Sequence, residues 1–324
     1  MQTQTQTTLT DNPSWDIKHL HEHLQYAADL ELWTIPFYMS AMYSVIDRTS
    51  DSFQLIQTIV NQEMLHLQSV ANIANAYGYS PKITPPVYVG QNIPHLDFSL
   101  DVPNPTSEYQ PYSAEIGPLD ASRINAMCLV EYPDWDSSSQ PSLKQNVTEY
   151  ANIADFYKAL EYGAGQFKNQ IKGGIRQVNH FSAFYRNLSN MEVTENGNDG
   201  FYQVKMLINL ITDQGEGASQ QVQIKEAFQN TADDKFMEDD HFDKFMQIKQ
   251  AKELQPTYPV KPESDYTATD HELLQILKEH FAELCHSIEL LFAGENPEDF
   301  VRVMISVGAS IQNCWKNGIT PKFS

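Results

Sequence analysis

Apolar residues recur at helical spacing from Trp15 to about Ile46 and again from Ser52 to Tyr77. Asn12-Pro13-Ser14 is a helix-start signal before the first run, and Gly78 stops the second. The pattern predicts two long helices joined by a short turn at residues 48–51, packed as an antiparallel hairpin. Pro36 falls inside the first helix, where its missing amide donor is expected to kink or bulge the chain. Over residues 80–113 the periodicity breaks. Prolines at 81, 85, 86, 94, 103, 105 and 111 punctuate short β-prone pieces such as Val87-Tyr88-Val89. This stretch reads as an extended excursion that caps one end of the helical core and shields what lies there.

Helical spacing returns over about 119–130, 147–162, 201–213 and 233–250. A Pro-rich linker at 255–263 then leads to two amphipathic helices, about 271–292 and 297–315, which read as an appended hairpin. The predicted class is all-α. A polar Thr/Gln tail over 1–12, expected to be disordered, precedes a four-helix bundle over 13–250. The excursion and its short helix, 80–135, interrupt the bundle, and the linker and hairpin over 251–324 pack against it.

Candidate chemistry lies on these helices. Two Glu-x-x-His motifs are present, Glu63-Met64-Leu65-His66 and Glu238-Asp239-Asp240-His241, each in a segment that reads as helix. Residues i and i+3 of a helix share a face, so both side chains of a motif can address one interior point. Each motif follows a glutamate in an apolar or glycine-flanked setting, Glu31 in Leu30-Glu31-Leu32-Trp33 and Glu216 in Gln214-Gly215-Glu216-Gly217. Four carboxylates and two imidazoles in that order form the ligand set of a di-metal carboxylate site in a four-helix bundle. Carboxylates bridge or bind single ions, and neutral imidazole suits iron. Glu31 and Glu63 each lie 12 to 17 residues from the turn between their helices, so the hairpin brings them to one height.

The expected arrangement has Glu31 and His66 on one ion, Glu216 and His241 on the other, with Glu63 and Glu238 bridging. Glu216 lies only 22 residues before Glu238, near the turn between its helix and the next, and Glu161 in Ala159-Leu160-Glu161-Tyr162 is its rival. Tyr38, seven residues beyond Glu31 on the same face, is a weak candidate for a redox tyrosine or substrate gate, against core packing. Asp213 and Asp234 are candidate acceptors for the second ring nitrogen of the histidines. His19 and His23, four apart, could hold a metal beside Glu22, but a solvated first turn is the expected reading.

Composition narrows the classes. The 324 residues carry 42 acidic against 21 basic side chains, a formal charge of −21, which disfavours nucleic acid and anionic membrane surfaces. Cys128, Cys285 and Cys314 are odd in number and far apart, and read as reduced buried thiols of a cytoplasmic protein. No leader and no run of about 20 apolar residues is evident.

With the motifs in place, the chain resembles the ferritin-like family that includes the iminophenylpyruvate dimer synthases of violacein and rebeccamycin biosynthesis. The carrying segments run from His23-Leu24-Gln25-Tyr26-Ala27 through Pro36-Phe37-Tyr38, then Gln62-Glu63-Met64-Leu65-His66-Leu67. Later come Ile153-Ala154-Asp155-Phe156-Tyr157, Gln214-Gly215-Glu216-Gly217 and His241-Phe242-Asp243-Lys244-Phe245. They span about 15–250, and the Gln-Gly-Glu-Gly match favours Glu216 over Glu161. The resemblance implies a ferritin-like bundle and, in the named members, oxidative coupling of amino-acid-derived imines. The expected function is therefore a non-haem oxidoreductase of secondary metabolism. It would use two iron ions, with manganese as the alternative, and act with dioxygen on a small organic substrate. Two alternatives stand beside it, a ferroxidase or iron-handling protein and a non-catalytic metal-binding module. Homo-oligomerisation is left open.

Overall fold

The structure is a computed structural model, and it describes residues 14–101, 103–133, 143–147, 150–181, 191–216 and 239–324. Among these residues the chain is helical. The helices are α1 (Ile17–Ser44), α2 (Asp51–Ala76), α3 (Ala121–Val130), α4 (Ile153–Gln166), α5 (Gly197–Glu216), α6 (His241–Gln250), α7 (Ala268–Phe292) and α8 (Phe300–Lys316). Extended pairing among them is limited to two isolated bridges, Val45 with Thr257 and Leu96 with Tyr150. The all-α expectation holds. The 1–12 tail lies outside the described residues.

Local chemistry sets the ends of the helices. The Asp16 carboxylate accepts from the Lys18 and His19 amides at the start of α1, and the His19 ring reaches back to the Asp16 amide. Ser50 caps α2 by accepting from Phe53 N. The last turn of α2 ends at Gly78, whose φ of 78° is a left-handed value that favours glycine. α1 continues through Pro36, which is fully within the helix.

α1 and α2 form the expected hairpin, and α4, α5 and α6 pack against it. The α7–α8 hairpin is fastened to the other side of α1. Trp315, wholly buried, donates its indole N–H to the Ser40 carbonyl at 2.9 Å, and Gly308 lets α8 approach the Tyr43 ring closely. Two buried apolar clusters meet along α1 and α2. One is centred on Leu24, Leu65 and Phe281, the other on Phe37, Ile59 and Phe245. Residues 80–95 run along the outer face of α1, where Trp33 Nε1 donates to Val87 O (3.2 Å) and Tyr88 OH donates to Trp33 O (2.8 Å).

Candidate metal centre

α1 and α2 are buried on nearly all sides at mid-length, so a charged side chain there has no route to water. Glu31, Glu63 and His66 occupy that stretch, and all three are buried. Such groups are costly unless they are paired or neutralised. They meet Glu131, one residue past α3, and His241, the first residue of α6. Within this cluster one atom of each of Glu31, Glu63 and His66 lies within 4.8 Å of the others, and the same holds for Glu63, Glu131 and His241. Glu63 belongs to both triads.

The two triads repeat one design. Glu31 Oε2 lies 3.5 Å from His66 Nδ1, and its Oε1 accepts a short hydrogen bond from Tyr157 OH. Glu131 Oε2 lies 3.5 Å from His241 Nδ1, and its Oε1 accepts from Tyr38 OH at 2.6 Å. Between them, Glu63 turns Oε1 to His241 Nδ1 (2.9 Å) and Oε2 toward His66 Nδ1 (3.9 Å). Thr34 Oγ1 donates to that Oε2 at 2.8 Å. Each histidine also has its far nitrogen on a glutamine amide oxygen. His66 Nε2 is 2.8 Å from Gln214 Oε1, and His241 Nε2 is 3.1 Å from Gln62 Oε1. An amide oxygen only accepts, so each ring donates from Nε2 and presents Nδ1 to the carboxylates.

The electrostatics follow from three carboxyl groups in a dry space. Burial, then the charges of Glu131 and Glu31, push the Glu63 carboxyl well above the usual range. Burial also opposes ionisation of Glu31, but hydrogen bonds and charge from His66, with the Tyr157 hydroxyl, outweigh it and lower its pKa. His66 is desolvated too, yet Glu31 and Glu63 together raise it. Burial and the neighbouring carboxylates keep Tyr38 and Tyr157 as protonated hydroxyls, hence as donors. A divalent cation would relieve the repulsion centred on Glu63. His241 Nδ1, 2.9 Å from a carboxylate oxygen, has no hydrogen-bond partner among the described residues, as a metal-ligand atom would. The donor set, carboxylate oxygen with imidazole nitrogen, fits iron or manganese. A cavity of about 20 Å³ beside it, with room for about one water, is lined by Glu31, Glu63, His66 and Glu131 and by Ile211 and Thr212 of α5.

Of the residues singled out from the sequence, Glu31, Glu63, His66 and His241 come together. Glu131 joins them and was missed. Its signal was a carboxylate ending the apolar run Met127-Cys128-Leu129-Val130, inside the stretch read as excursion. Glu216 is the last residue of α5, and its side chain lies outside the described residues, as does the whole of Glu238. Asp240, extended at ψ 172°, caps α6 by accepting from Asp243 N, so the helix begins only at His241.

Glu161 sits apart on α4, partly exposed, in an ion pair with Lys205 at 3.4 Å. Tyr38 reaches the cluster through Glu131. The nitrogen acceptors are the amides of Gln214 and Gln62, where Asp213 and Asp234 were expected. Asp234 lies outside the described residues. His23 is not solvated. It is wholly buried, with Nδ1 on His19 O (2.7 Å) and Nε2 on Tyr150 OH (3.1 Å), and burial drops its pKa to about 4. It is a satisfied core residue rather than a ligand.

Comparisons with known proteins agree with this architecture. A family model described as ferritin-like matches residues 24–250. The structure of a ferritin-like protein from Caulobacter vibrioides is similar at 40% identity and a TM-score of 0.84, covering 96% of this chain and 100% of that one. No curated protein matches the sequence. Among the described residues, no helix is long and apolar enough to cross a membrane.

Proposed function

The chain belongs to the ferritin-like family, and from that premise we propose that it is a non-haem di-metal oxidoreductase acting with dioxygen on a small organic substrate. Iron is the expected metal and manganese the alternative. The observation that carries the reading is the position of Glu63, whose two oxygens face two different Glu/His pairs. In this reading Glu31 and His66 hold one ion, Glu131 and His241 the other, and Glu63 bridges. Glu131 stands where the motif order puts Glu216. Glu216 and Glu238 remain candidates for additional carboxylates, to be tested by substitution.

A bound metal pair would supply the electrons that activate dioxygen. The chain's own part is to hold protons and keep water out. Tyr157 and Tyr38 keep their protons on Glu31 Oε1 and Glu131 Oε1, which leaves the Oε2 atoms free for coordination. Gln214 and Gln62 fix the histidine protons at Nε2. An amino-acid-derived substrate is the reading that the likeness to the dimer synthases supports.

One observation favours a second reading, a ferroxidase or iron-handling protein. The cavity beside the carboxylates, about 20 Å³ among the described residues, admits a water-sized molecule and no organic substrate. Anaerobic reconstitution with ferrous iron, followed by elemental analysis and oxygen-uptake measurement, tests both. About two ions per chain are expected for this ligand set. Catalytic uptake only with amine or imine substrates supports the oxidoreductase. Uptake that stops once the added iron is oxidised supports iron handling. Metal retention without oxygen uptake leaves a non-catalytic module.

A further inference from the structure

Gln25, Asp29 and Trp33, four residues apart on α1, form the floor of a groove of about 780 Å³. Glu31 lies two residues from Asp29, about 200° around the helix, so this groove and the carboxylate cluster sit on opposite sides of α1. The facing wall comes from the proline-rich stretch, with Tyr79, Pro85, Pro86, Val87 and Val89 among its residues. A second hollow of about 370 Å³ shares Gln25, Asp29 and Tyr79 and continues the groove along α1. The volume falls in the range of small-molecule sites, roughly 300–1,000 Å³.

The groove is preformed. The Gln25 amide spans it, donating to Asp29 Oδ1 (2.9 Å) and Lys82 O (2.9 Å) and accepting from Lys82 N (2.8 Å) and Tyr79 OH (2.6 Å). Trp33 and Tyr88 pin the wall further along. Two apolar side chains that this wall could have buried are instead held outward, with Val87 64% and Val89 61% exposed. His95, in the left-handed region at φ 66°, packs its ring on Tyr26 at the same end of the wall. A non-glycine residue there marks a constrained backbone.

Asp29 is the carboxylate in the groove's lining and Lys82 its cation, with Lys18 and His21 in the adjoining hollow. Asp29 is half-buried, and among the described residues no cation lies within ion-pairing distance of it. Its hydrogen bond is to the neutral Gln25 amide. Lys82, on the wall, is engaged with Glu289 at 3.3 Å. We propose that this groove is a binding site for an organic cation, with an ammonium or guanidinium group on Asp29 and an apolar body against Pro85, Pro86, Val87 and Tyr79. The site is independent of whether the carboxylate cluster holds metal.

Calorimetric titration of the whole protein with phenethylamine and with 3-phenylpropionate, similar in shape and opposite in charge, tests this directly. The amine should bind saturably and at least about tenfold tighter than the acid, the scale of one charge-assisted contact. Asp29→Asn, which preserves the size and the Gln25 contact, should erase that preference. Glu22→Gln, in the adjoining hollow, should change affinity by less than about twofold, as expected of a screened surface charge. Methyl resonances of Val87 and Val89 should shift on titration. Equal affinity for the two probes, an unaltered preference in Asp29→Asn, or unperturbed Val87 and Val89 methyls would each overturn the proposal.

Discussion

Two neighbouring parts of α2 bury polar side chains in opposite ways. Gln62, Glu63 and His66 face carboxylates and a second histidine. Gln68, Asn72 and Asn75, about half a turn to two and a half turns beyond His66, face irregular chain and the end of α7. Asn72 donates to Val178 O (2.7 Å) and Met191 O (2.6 Å) and accepts from Val178 N (2.7 Å). Gln68 Oε1 accepts from the amides of His180 and Phe181, and Asn75 Nδ2 donates to Arg176 O and Phe292 O. The amide ladder is neutral and bonded mainly to backbone, with only Gln68 Nε2 and Asn75 Oδ1 of its polar atoms lacking a partner among the described residues, and it acts as a clamp. The first part gathers three carboxyl groups whose repulsion His66 offsets at Glu31 but leaves dominant at Glu63. Burial alone therefore does not mark a functional site. Uncompensated charge does.

The sharpest way to break this contrast is to remove the shared carboxylate. Glu63→Gln should abolish paired metal binding, lowering content from about two ions per chain to fewer than one, while Glu131→Gln should deplete mainly the ion beside His241. Elemental analysis after reconstitution reads both. Asn72→Ala should do the reverse. It strips three hydrogen bonds from buried backbone groups and should cost about 3 kcal/mol in urea denaturation, with metal content per folded chain unchanged.

Gln62→Leu and Gln214→Leu sit at the boundary between the two designs, since each removes the acceptor that fixes a histidine. Each should weaken metal affinity by roughly 10–100-fold in chelator competition. Smaller still is the effect of acid on the neighbouring core histidine. Burial lowers His23 from 6.5 to about 4, so protonation favours the unfolded chain. Its contribution is present above pH 6.5 and is lost as pH falls toward 4. The metal-free melting temperature should drop across that window, less steeply in His23→Gln. Glu161→Gln, which touches only a surface pair with Lys205, should leave metal content at the wild-type level.

The hairpin of α1 and α2 was legible because both helices are long, strongly periodic and cleanly capped. Glu31, Glu63 and His66 were legible for the same reason, since a charged side chain in the middle of an apolar helix must be neutralised by something it faces. Glu131 was not, because it lies just past a ten-residue helix and is brought to the site by tertiary packing. At the second motif α6 begins at His241 with Asp240 as its cap, and Glu238 lies outside the described residues. The histidine acceptors were assigned to aspartates, whereas a buried, already crowded anionic site is better served by neutral amides. His23 read as polar and exposed because its partners, Tyr150 and Phe156, are more than a hundred residues away.

The central claim is that Glu63 bridges two ions. Diffraction from crystals of the iron-loaded protein, recorded on both sides of the iron absorption edge, tests it most directly. Two anomalous peaks about 3.5–4 Å apart are expected, one between Glu31 and His66 and one between Glu131 and His241, with Glu63 reaching both. A single peak, or none in this cluster at full iron occupancy elsewhere, would contradict it.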